Sequence, residues 1–114
     1  MKSLICIIIA SAFLWVAPVA ADSSTVVEGR IQGIEQDHLM MGSQRYDVVN
    51  PVTEKGKRDA DTYGFKTECW VVFPSVRPYR IGYITLVKVG YVDLARLTLE
   101  KGVVRKIEVL DLQQ

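Results

Sequence analysis

Past residue 24 the sequence keeps returning to a two-residue hydrophobic period, and glycine-marked turns interrupt it repeatedly. In TVVEGRIQGI (25–34), Val27 and Ile31 share one side with Gly29 and Gly33, while Glu28, Arg30 and Gln32 take the other. In FKTECWVVF (65–73), Phe65, Thr67, Cys69, Val71 and Phe73 alternate with Lys66, Glu68, Trp70 and Val72. Such alternation describes half-buried strands. A helix cannot use it, because neighbours on one helical face stand three and four residues apart. The two glycines of the first strand mark strong bending or the close approach of another backbone.

The turns order these strands. Gly42-Ser43 separates His38–Met41 from residues 44–49, and a two-residue Gly-X connection is a type II′ hairpin signal. It sets Met41 opposite Gln44, Met40 opposite Arg45, Leu39 opposite Tyr46 and His38 opposite Asp47. Leu39, Met41, Tyr46 and Val48 then form the apolar face. Residues 91–99 and 103–110 form a second hairpin around Glu100-Lys101-Gly102, with glycine where a positive φ is needed. The expected core is Leu39, Met41, Tyr46, Cys69, Val71, Ile107 and Val109.

Two stretches lack the alternation. Residues 50–64 (NPVTEKGKRDADTYG) are polar with no sustained period, and the expectation is a mobile loop over 53–64. Residues 81–89 are apolar on both sides and read as a buried strand or one turn of helix. No stretch offers a three-turn amphipathic helix. About six short antiparallel strands in one domain, as an all-β barrel or sandwich, is the architecture these patterns imply.

The N-terminus carries a different signal. Lys2 precedes an apolar run, LICIIIASAFLWV (4–16), Pro18 ends it, and Val19-Ala20-Ala21 supplies small residues before Asp22. That order describes a secretory signal peptide over 1–21. The run is shorter than the ~20 residues a membrane-spanning helix needs. Cys6 lies early in the run without small residues before it, unlike a lipid-attachment cysteine. Removal of 1–21 takes away Lys2 and no acid, leaving thirteen bases against thirteen acids from the original fourteen and thirteen. The exported chain, 22–114, would be net neutral, periplasmic or secreted, with Cys69 as its single thiol and no membrane span.

The pattern Gly29-x-Ile31-x-x-Ile34, followed by Leu39-x-Met41-Gly42-x-x-Arg45-Tyr46-x-Val48, resembles the opening of small secreted OB-like β-barrel domains of unknown function. The ending fits as well: Leu86-x-x-Val89-Gly90-Tyr91-Val92, then Leu97-x-Leu99-Glu100-x-Gly102-Val103-Val104-x-x-Ile107-x-Val109. Those domains commonly carry Gly-Asp where this chain has Gly90-Tyr91, and residues 50–80 depart from the pattern. The resemblance implies a fold and an envelope location, and no activity.

Chemistry-bearing residues are sparse. Cys69 lies in line with Phe65, Val71 and Phe73, and His38, the sole histidine, falls on the outward face of the hairpin beside Asp47. A thiol nucleophile needs a base or another device to lower its pKa, so an inert buried thiol outweighs a thiol enzyme. His38 and Met40 share a strand face, and imidazole with thioether suits Cu(I). Small periplasmic OB-fold copper carriers resemble this arrangement but use a second methionine, and Met41 points the other way. Asp59-x-Asp61-x-Tyr63-Gly64 looks like half a calcium loop, yet the fifth and twelfth positions hold Tyr63 and Trp70 rather than oxygen donors of the required kind. Export and zero net charge argue against nucleic acid. No phosphate loop or catalytic triad is legible, and no cofactor is implied.

The richest stretch is WVVFPSVRPYRIGY (70–83). Arg77, Tyr79, Arg80 and Tyr83 gather around Pro74 and Pro78. Tyr, Trp and Arg are enriched at binding hot spots, and prolines reduce the entropy lost on binding. The alternative for this stretch is that its aromatics plug a barrel end. The expectation is a non-catalytic exported protein that binds another envelope protein or a second copy of itself. A periplasmic copper-binding protein using His38 and Met40 is the alternative. N-terminal sequencing of the exported form is expected to begin at Asp22, and a retained Met1 would instead indicate an anchored chain.

Overall fold

The computed structural model describes residues 24–112, so the leader, Cys6 and the cleavage site lie outside the described residues. Seven strands and two short helices follow one another: β1 (Thr25–Ile34), β2 (His38–Met41), β3 (Gln44–Asp47), α1 (Glu54–Tyr63), β4 (Glu68–Val71), β5 (Tyr79–Ile81), α2 (Tyr83–Val89), β6 (Val92–Glu100) and β7 (Val103–Asp111). They form one sheet in the order β3-β2-β1-β6-β7-β4-β5. No described helix is long and apolar enough to cross a membrane.

β1 is long because it serves two partners. Its first half pairs with β6 and its second half with β2, and the register shifts between Gly29 and Ile31 and again between Ile31 and Gly33. Both irregularities therefore fall at the glycines, where a missing side chain lets the strand bend. The bend curls the sheet until the chain leaving β3 reaches β7, where Val48 and Val104 form a parallel bridge. The result is a small β-barrel, a ring of β1, β2, β3, β7 and β6, with β4 and β5 added beside β7. Ile31, Leu39, Val48, Leu97, Val104 and Ile107 fill the interior and are almost fully buried.

Both hairpins form as their turns require. The first has the expected register in all four pairs, with Gly42 at φ 65°. In the second, Glu100 faces Val103 across a two-residue turn whose members, Lys101 and Gly102, both take positive φ. Of the expected core, Leu39, Cys69, Val71, Ile107 and Val109 are buried, while Met41 and Tyr46 pack against it half-buried.

Two expectations change. Residues 53–64 form a helix rather than a mobile loop. Thr53 caps its start by accepting a hydrogen bond from Gly56 N, Glu54 sits in its first turn, and Gly64 ends it at φ 82° with its N–H donating to Ala60 O. Lys55–Asp59 and Lys57–Glu54 pairs, at 2.7 and 3.3 Å, brace its exposed face. The helix is polar nearly all round, burying Gly56 alone, so it has no apolar stripe to betray it. The second change concerns strand direction: β4 runs parallel to β7, with Cys69 opposite Ile107 and Val71 opposite Val109. The β5–α2–β6 connection between them is long enough for parallel pairing, which no hairpin could provide. The apolar 81–89 run resolves as α2, which turns Tyr83 and Leu86 inward and ends at Gly90, φ 87°.

Buried polar groups hold these parts together. Thr67 Oγ1 donates to Val104 O at 2.6 Å and accepts from Val49 N at 2.8 Å. Asn50 Nδ2 donates to Gln36 O at 2.9 Å, while Asn50 O accepts from both the amide and the hydroxyl of Thr53. The first turn of α1 lies directly against that carbonyl: a Cβ on Gly56 would stand far inside van der Waals contact distance of Asn50 O. Gly56→Ala is accordingly expected to lower unfolding free energy by about 3 kcal/mol through overpacking against rigid backbone, despite the better helix propensity of alanine. Urea unfolding of the two proteins measures it, and equal midpoints would show that α1 can move away from Asn50.

Candidate functional site

The alternation of β4 sends its side chains to two faces. Cys69 and Val71 point into the core, and Glu68 and Trp70 point out. On the outer face Trp70 stands opposite Arg80 of β5 and Glu108 of β7, and Glu108 stands opposite Arg96 of β6, which faces Glu28 of β1. The row thus alternates base, aromatic, acid, base and acid across five strands. Arg96 bonds Glu28 at 2.9 Å and reaches Glu108 at 3.6 Å. Trp70 Nε1 donates to Glu68 Oε1 at 3.1 Å. Arg80 Cζ lies 5.7 Å and Lys106 Nζ 6.0 Å from the Trp70 ring centre, within cation–π range. A shallow depression of about 220 Å³ opens here, walled by Trp70, Val72 and Pro78 and bounded by Lys106 and Glu108.

Beside this face the chain makes an arm. Residues 74–80 are all exposed. Val76 N donates to Phe73 O at 3.3 Å, which turns the arm, and Pro74 and Pro78 stiffen it. Tyr79 is 50% exposed, and Arg77 has no ion pair among the described residues. The arm's last two residues, Tyr79 and Arg80, already belong to β5, the outermost strand of the sheet.

Of the four residues expected at a partner surface, Arg77, Tyr79 and Arg80 share this exposed stretch and Tyr83 does not. Tyr83 is 8% exposed, and its hydroxyl donates to Glu35 O at 2.5 Å and lies 3.3 Å from His38 O. As the first residue of α2 it lies one helical turn before Leu86, and both face the core. Burial pushes its pKa well up. Sequence reasoning also passed over Lys106, which comes from a distant strand. It left Trp70 outside the site, although the 65–73 alternation already placed Trp70 on the polar side.

The other candidates take plain structural places. His38 Nδ1 lies 2.7 Å from Asp37 Oδ1, while Asp47 bonds Arg45 Nε at 3.2 Å, so the expected His38–Asp47 pair is replaced by two separate ones. Met40 stands opposite Arg45. No group of three or more His, Cys, Asp and Glu side chains converges among the described residues. Asp59 and Asp61 lie on α1, where residues two apart point in diverging directions, and Asp59 is held by Lys55.

A larger cleft of about 300 Å³ lies between residues 49–52 and the β5–α2 turn, lined by Val49, Val52, Thr67, Cys69, Ile81 and Ile84 among others. Its buried hydroxyl, Thr67, is already committed to backbone partners. Its thiol, Cys69, is 1% exposed, and burial drives its pKa from 9.0 up to about 12. Such a thiol stays protonated at neutral pH and is a poor nucleophile. No family model matches the chain, and neither curated proteins nor solved structures show a significant match to it.

The two raised pKa values set an alkaline limit. Between about 9 and about 12 the folded chain keeps the Cys69 proton that the unfolded chain releases, so stability falls as pH rises through that window. Tyr83 adds to the loss above its ordinary 10.0. The thermal midpoint is expected to decline between about pH 9 and about pH 11, with a shallower slope in Cys69→Ala. An identical slope in that variant would mean that the thiol is reachable by solvent.

Proposed function

We propose that this is a non-catalytic, exported, OB-like β-barrel whose work is protein recognition, as a binding module or subunit of an envelope assembly. The observation that carries the reading is the arm 74–80: seven successive exposed residues that hold Arg77, Tyr79 and Arg80 together with Pro74 and Pro78. A domain with so small a core gains nothing in packing from exposed tyrosine and valine side chains. Rigid aromatic area and planar guanidinium donors suit a partner surface, and prolines limit the ordering cost. The parallel closure of β3 on the last strand of the second hairpin supports the OB-like reading. The apolar leader with its Val19-Ala20-Ala21 exit supports export to the periplasm or beyond.

The test compares recognition and stability on the same proteins. Arg77→Ala and Tyr79→Ala are expected to weaken capture of the partner from envelope extract, by about 2 kcal/mol where the residue is a hot spot. Their thermal midpoints should stay within about 0.5 kcal/mol equivalent of the parent, as for other exposed substitutions. Undiminished capture by folded variants would remove the arm from the account. A fall in stability that precedes any loss of capture would make Tyr79 a packing residue instead.

A further inference from the structure

We draw no further inference here: the strongest candidate, the cleft of about 300 Å³ between residues 49–52 and the β5–α2 turn, carries none because its buried Thr67 hydroxyl is already bonded to backbone on both sides and nothing in the structure shows what covers it.

Discussion

One hydroxyl holds the barrel closed. The ring meets itself where β3 ends, and a lone parallel bridge between Val48 and Val104 is all the backbone pairing that joins the two sides. Thr67 reinforces that seam, donating to Val104 O at 2.6 Å and accepting from Val49 N at 2.8 Å, while its own N–H donates to Val49 O at 3.0 Å. All three residues are buried, and out of water an unpaired donor or acceptor costs about 1–3 kcal/mol. A buried network of this kind specifies one arrangement, because any other leaves its members unsatisfied.

The seam also places the remaining elements. Because Val48 occupies β7 only at Val104, the stretch Lys106–Val109 is free to pair with β4, and β4 enters the sheet in parallel just beyond Thr67. That docking turns Cys69 and Val71 inward and exposes Trp70 beside Lys106. β5 then adds to β4 and becomes the open edge, and residues 74–78 before it stay exposed. On the other side of the seam, Asn50 fixes Gln36 and the cap of α1, and Gly56 lets the helix approach that carbonyl. The inert interior and the exposed arm thus follow from the same closure.

The charges divide along similar lines. Most described acids have a base in contact, as in Asp59–Lys55, Glu28–Arg96 and Glu100–Arg105. Exposed pairs of this sort contribute little stability, about 0–1 kcal/mol each, but they leave the surface locally neutral. On the Trp70 face Arg80, Lys106 and Arg96 stand with Glu68, Glu108 and Glu28, and Arg96 alone serves two of those acids. Its apolar wall and its charged rim, Lys106 with Glu108, come from different parts of the chain, β4 with the arm on one side and β7 on the other.

Sequence alone determined what depends on neighbours along the chain. The period-2 alternation of 25–34 and 65–73, the turns at Gly42 and Gly102, and the register of the first hairpin are local, set by the pleat and by backbone sterics. The inward placement of Cys69 and Val71 and the exposure of Arg77, Tyr79 and Arg80 were legible for the same reason. Helix α1 was not, because without an apolar stripe its only signals were Thr53 and Gly64 at its two ends. Tyr83 was misplaced because the 81–89 run is apolar on every side and so hides which side faces the core. What only the tertiary structure decided is non-local: the parallel partnership of β4 and β7, the seam at Thr67, and the meeting of Trp70 with Lys106. A hydrophobic period says which face of a strand is buried, but it carries no information about which distant strand will lie alongside it. That choice is made where the whole chain can bury its apolar side chains while leaving no buried polar group unpaired.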